Sequence, residues 1–219
     1  MRTEFHAELD SLTAELGDMC ALAASTMECA TDALVRSDRE AAHRCDTEVA
    51  RLGRMHRWVG ERAFAILAQP APAAHDLRVM VSVLPIAADA HRMGGLAANI
   101  AKEQRRRRAV AVPPIAVAVF AEMGRHAVAL TENVRRAVVD GDAVAAQQIT
   151  DDGEVMDGLR RRLLAMVLDD NWEHGPLAAA NALLLGRFYE RFADHAVGIA
   201  RRVVYQASGH LPHISMSSN

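Results

Sequence analysis

The chain contains a weak copy of itself. Near the end of its first half runs Asp89-Ala-His-Arg-Met-Gly-Gly-Leu-Ala-Ala-Asn-Ile-Ala-Lys102. Near the end of its second half runs Phe188-Tyr-Glu-Arg-Phe-Ala-Asp-His-Ala-Val-Gly-Ile-Ala-Arg201. At a shift of 99 residues, Arg92 falls on Arg191, Ala97 on Ala196, Ile100 on Ile199 and Lys102 on Arg201. The second copy carries the carboxylates Glu190 and Asp194, where the first has His91 and Gly95. Two halves of this kind share a scaffold without sharing the same chemistry.

Apolar positions recur at steps of three and four residues almost throughout, which is the period of an amphipathic helix. Leu9, Leu12, Leu16, Met19, Leu22 and Ala23 form one stripe, continued by Met27, Ala30 and Leu34. Polar and proline joints separate the helices. Ser37-Asp38 is the first, with Asp38 placed to cap the next helix, and Gln69-Pro-Ala-Pro72 is the second. The third helix runs to about Arg107, and Val112-Pro113-Pro114 opens the second half, since proline suits a helix's first turn. Asp140-Gly-Asp142 and Glu173-His-Gly-Pro176 divide the last three helices. At a shift of 104 residues Asp38 meets Asp142, Ala41-Ala42 meets Ala145-Ala146 and Leu52-Gly53 meets Met156-Asp157. The predicted fold is all-α: two tandem, sequence-related three-helix bundles, six long helices in all. Their bounds are 1–111 and 112–209, followed by a loose polar tail over 210–219.

Composition agrees with that fold. Half the residues are hydrophobic (51%) and only 4% are aromatic, which favours helices over a β-sandwich. The net charge of -3 gives no footprint of a nucleic-acid binder. The opening Met-Arg-Thr-Glu-Phe-His has no apolar core of a signal peptide, and no uncharged stretch approaches the roughly 20 residues that span a bilayer. Cys20, Cys29 and Cys45 form no Cys-x-x-Cys pair and are predicted to be reduced thiols packed in a cytoplasmic protein. No nucleophile elbow, Walker loop, GxGxxG or HExxH motif occurs. One Glu-x-x-His, Glu40 to His43, is half of what a ferritin-like di-iron core requires.

The chemistry-bearing residues are acids. Glu190 and Asp194 are four apart and share a helix face. Asp152, Glu154 and Asp157 lie on the preceding helix, and an antiparallel bundle can bring the two sets together. Oxygen-only clusters suit hard cations such as Mg²⁺ or Mn²⁺, or carboxylate-bridged iron. The competing reading is an ordinary ion-pair network, Glu190 with Arg187 and Asp194 with Arg191. In the first half Gly53, His91 and Gly95 replace the acids and only Glu48 remains, so His91 with Glu48 is at most a partial site. The run Arg105-Arg-Arg-Arg108 ends the third helix, either as a solvated helix end or as a patch for an acidic partner or lipid surface. Asp76 favours the start of that helix's dipole. Met19, Met27, Met93 and Met123 fall in apolar stripes and are assigned to the core.

Four motifs together carry a resemblance: Pro72-Ala-Ala-His-Asp-Leu-Arg78, Asp89-Ala-His-Arg-Met-Gly94, Met156-Asp-Gly-Leu159 and Arg187-Phe-Tyr-Glu-Arg-Phe-Ala-Asp-His-Ala196. They resemble the PhoU family of phosphate-signalling regulators, from Met1 to about Gly209. Trp172-Glu-His-Gly175 looks like the family's actinobacterial branch. The resemblance implies a cytoplasmic, often homodimeric, non-catalytic negative regulator of the phosphate-starvation response. Such proteins contact a sensor histidine kinase and the ATP-binding subunit of the phosphate ABC transporter. It also implies a divalent metal or iron (Mg, Mn, Zn or Fe) in the second repeat, on Glu190, Asp194 and Asp157 with Glu154 and Asp152 nearby. Gly153 departs from that pattern, since an acid is common there. Two rivals remain open at this point: a metal-dependent, carboxylate-bridged helical enzyme, and a metal-free helical scaffold whose acids are all ion-paired.

Overall fold

A computed structural model describes residues 2–68, 74–106, 112–151 and 154–210. All its regular structure is helical, with no strand among the described residues. The elements are α1 (Arg2–Arg36), α2 (Arg39–Leu67), α3 (Ala74–Arg106), α4 (Pro114–Asp140), α5 (Ala143–Asp151), α6 (Glu154–Val167) and α7 (Gly175–Ser208). They correspond to the six predicted helices. The fifth is described as α5 and α6, on either side of residues 152–153, which lie outside the described set.

The helix ends form where local chemistry favours them. Asp38 Oδ1 accepts from the amides of Glu40 (2.8 Å) and Ala41 (3.1 Å), two donors that the first turn of α2 would otherwise leave unpaired. Asp142 does the same for Val144 and Ala145, both at 3.0 Å. The repeat therefore extends to its caps. It extends to the preceding residue as well, because Gly141 ends α4 at φ 64° and Ser37, its counterpart in the first half, sits at φ 58°. Glycine tolerates that left-handed geometry; serine adopts it against the clash of its Cβ. Pro114 starts α4 at a position where its missing N–H has no partner to lose. Pro85 lies inside α3, which continues through it.

The predicted stripe on α1 is buried from Leu9 to Leu34, and Met19, Met27, Met93 and Met123 are fully enclosed. α1 packs on α2 and α3 within its own bundle and on α4 of the other. α3 packs on α7 across the same seam. One apolar core thus runs through both halves. At full burial each large aliphatic side chain contributes roughly 1.5–3 kcal/mol. A buried polar contact also joins the two halves. Tyr189 of α7 and Thr31 of α1 share a buried hydrogen bond of 3.0 Å, and Gly124 of α4 lets Thr31 approach its backbone. Burial pushes the Tyr189 phenol well above its ordinary range. The three cysteines are free and buried, and burial raises the Cys20 thiol to about 12. None of the described helices is long and apolar enough to cross a membrane.

Candidate functional site

The acids singled out in the second half come together only in part. Glu190 lies on α7 beside α6. Its Oε2 accepts from Arg187 Nη1 at 2.7 Å, and its Oε1 faces Arg160 Nε at 3.4 Å. Glu190 is therefore held between two guanidinium groups, one from its own helix and one from the neighbouring one. Asp194, one turn further on, makes no ion pair among the described residues. Partial burial of its carboxyl raises its pKa first, and the charge of Glu190 adds to that; Asp157 also raises it, whereas Arg187 and His195 pull it down. Asp157 of α6 thus shares this surface with Asp194 and Glu190. Glu154 is exposed in the first turn of α6, and no described interaction joins it to the others. Asp152 lies outside the described residues.

This arrangement does not by itself fit a metal ion. Both oxygens of Glu190 are already committed to arginine. Among the described residues no group of three or more His, Cys, Asp or Glu is placed to hold one. Arg187 was visible in the sequence as a partner of Glu190. Arg160 was not, because it lies thirty residues away on a helix whose rotation only the packing sets.

In the first half the counterpart surface is built differently. His91 stacks on His56, with ring centroids 4.9 Å apart and planes 13° from parallel. Burial lowers the His91 pKa, and the neighbouring His56 and Arg57 lower it further. Glu48 does not join His91. Its Oε1 accepts from Ser25 at 2.9 Å, while its Oε2 is buried with no partner among the described residues. The His91–Glu48 pairing considered from sequence is replaced by these two separate contacts.

Across the seam, His195 of α7 meets Asp89 of α3 at 2.9 Å, and Arg92 lies 3.8 Å from the same carboxyl oxygen. All three residues sit in the aligned motifs, but the cross-repeat pair has no trace in the sequence. Asp76 is buried at the start of α3, with its Oδ2 3.6 Å from His6 of α1; it joins two helices as well as favouring a dipole. The side chains of the arginine run at 105–108 lie outside the described set.

Comparison with known proteins matches the PhoU domain twice, to residues 16–104 and 120–203. The chain is 44% identical to the phosphate-specific transport system accessory protein PhoU homolog 2 of Mycobacterium tuberculosis, over 97% of this chain and 100% of that one. It is also 44% identical to PhoU homolog 1 of Mycobacterium leprae, over 97% and 96% of the two chains. Its fold superposes on the crystal structure of PhoU from Pseudomonas aeruginosa with a TM-score of 0.85 at 25% identity, covering 94% of this chain and all of that one. PhoU from Streptococcus pneumoniae gives 0.84 at 23% identity, covering 96% and 100%. These mycobacterial relatives agree with the actinobacterial character of the motifs. A domain matched in both halves, on a duplicated helical frame shared with solved PhoU structures, means that this chain belongs to the PhoU family.

Proposed function

We propose that the protein is a non-catalytic, cytoplasmic accessory protein of a phosphate-specific transport system and restrains the phosphate-starvation response. The observation that carries this reading is its 44% identity, along nearly its whole length, to proteins named as such accessories. In this reading it acts by docking, as a homodimer, on a sensor histidine kinase and on the ATP-binding subunit of the phosphate transporter. Binding favours the kinase conformation that keeps signalling low while phosphate is sufficient. The two halves offer different surfaces for that work, one keeping its acids and the other having lost them.

Deleting the gene tests the proposal. Phosphate-uptake genes should become active in phosphate-rich medium, and a tagged copy should recover the kinase or the transporter ATPase. Unchanged expression together with recovery of neither partner would refute it. A metal on the second-repeat acids belongs to the same reading. Such an ion would require Glu190 to release its arginines, and it would lower Asp194 instead of leaving it raised. Titration calorimetry with Mn²⁺, Zn²⁺ or Mg²⁺ on the wild type and on Glu190→Ala/Asp194→Ala decides it. Equal heats in the two proteins would remove the metal.

A further inference from the structure

We infer that the seam between α3 and α7 is a docking groove for an acidic protein segment. The groove is open, has a volume of about 740 Å³, and is lined from both halves of the molecule. Arg92 and Lys102 line it from α3, Arg187 and Arg191 from α7. No carboxylate is among its lining residues. His195, fixed by Asp89 at 2.9 Å, adds an imidazole to the same wall. Leu96 and Phe188 supply apolar floor. Gly95 stands where the second repeat has Asp194, and a Cβ built on it meets nothing within 4 Å. Glycine at this position thus leaves open space and adds no carboxylate to the wall, while the nearest acids, Asp89 and Glu190, lie behind it against His195 and Arg187.

Only one of these four charges is fully engaged by a neighbour. Arg187 is held by Glu190, and Arg92 lies at the long distance of 3.8 Å from Asp89. Lys102 and Arg191 have no ion-pair partner among the described residues. Lys102 is the one lysine in a chain whose other basic residues, histidines aside, are arginines. Its ammonium is a mobile point charge at the end of the groove, beside planar guanidinium groups that bind carboxylates by paired hydrogen bonds.

The spacing selects the ligand. Arg92 and Lys102 are ten residues apart on one helix, about 15 Å along its axis. A single small anion reaches only a few of these groups. An extended segment of four or five residues spans them all, at roughly 3.3 Å per residue. The apolar floor favours a peptide that alternates Asp or Glu with an aliphatic side chain over a bare inorganic polyanion. The tail over 210–219 contains no Asp or Glu and does not supply this segment, so the occupant we assign is a segment of a partner protein. The inference rests on the regulatory reading only for the idea that a protein partner supplies this segment.

Fluorescence anisotropy with a fluorescein-labelled Glu/Leu dodecapeptide tests it, with hexametaphosphate as competitor. Wild-type protein should bind the peptide at low salt and release it as salt rises. Lys102→Glu/Arg191→Glu should weaken binding by roughly tenfold or more, while Arg54→Glu/Arg125→Glu, equal in charge but outside the groove, should not. Labelling of the chain's amines reads the same site in the unaltered protein. Bound peptide should slow modification of Lys102 several-fold and leave the N-terminal amine untouched. Absent binding, equal loss in both double variants, or an unprotected Lys102 would overturn the proposal. So would hexametaphosphate binding that the peptide cannot displace, since the groove would then serve an inorganic polyanion. None of these failures touches the gene-deletion test, so the two readings stand or fall separately.

Discussion

Replacing Gly124 with alanine sets two opposing effects against each other at one atom. In an exposed helix the change is favourable, by roughly 0.5–1 kcal/mol, because glycine loses more backbone freedom on folding. At Gly124 the new Cβ presses on Thr31 Oγ1 and comes within 2.5 Å of its Cγ2 and 2.9 Å of its Cβ. A rotamer change would move Oγ1 and Cγ2 but not Thr31 Cβ, so α1 and α4 must also separate. Overpacking of this kind costs about 1–3 kcal/mol. Moving Thr31 also strains its 3.0 Å bond to Tyr189, and a buried hydroxyl left unpaired costs about 1–3 kcal/mol. The net loss is about 3 kcal/mol, which lowers the melting temperature by roughly 6–12 °C in a chain of this size. Gly60 is the internal control: it lies in α2 with nothing within 4 Å of its Cβ, so Gly60→Ala should raise the melting temperature by a few degrees. Thermal unfolding followed by circular dichroism measures both. In a Thr31→Ala background the Gly124→Ala penalty should shrink by about 1 kcal/mol, since two of the three close contacts are gone. A Gly124→Ala variant as stable as the wild type would show that the α1–α4 contact yields freely and would refute the reasoning.

Three further outcomes follow from the same structure. Ser37→Gly should stabilise the chain by about 1 kcal/mol in urea unfolding, since serine holds a left-handed geometry where the second repeat already uses glycine; a destabilised variant would contradict it. Asp194 has its pKa raised by partial burial and then by Glu190, so its charged form is disfavoured on folding. The native state therefore loses stability as pH rises from the unfolded carboxyl value of ~4 through the raised folded value. Asp194→Asn should accordingly stabilise at pH 7 and have no effect at pH 3, and a loss of stability at pH 7 would instead mark Asp194 as the partner of a cation. The three buried thiols should resist dithiobis(nitrobenzoate) in native buffer and all react in denaturant; rapid native reaction of Cys20 would contradict its burial.

Much of the scaffold was legible because helices announce themselves locally. The α1 stripe, the proline that opens α4 and the aspartate cap at the start of α2 each follow from neighbours within a few residues. The Asp142 cap was reachable too, through its alignment with Asp38. The site was less legible, because it depends on how far each helix is rotated about its axis. Periodicity finds the buried face but not which flank residue meets which across the gap. That Glu190 meets Arg160 and that Asp89 meets His195 are both settled by packing between distant segments. The groove was hidden for the same reason: its cations lie almost a hundred residues apart in sequence and share a wall only once α3 lies against α7.

The continuous core has a consequence for how the seam is supplied. If the two three-helix units were separate chains, the α3–α7 wall would exist only where their concentration exceeded their dissociation constant. Tethering them within one chain replaces that encounter with an intramolecular one, whose effective concentration, typically millimolar for short linkers, does not fall as the protein is diluted. A cell holding few copies then has as large a fraction of assembled seams as one holding many. Fusion also lets the two walls diverge, since a mutation in α3 is not copied into α7. That independence is what allows one repeat to keep Glu190 and Asp194 while the other carries His91 and Gly95.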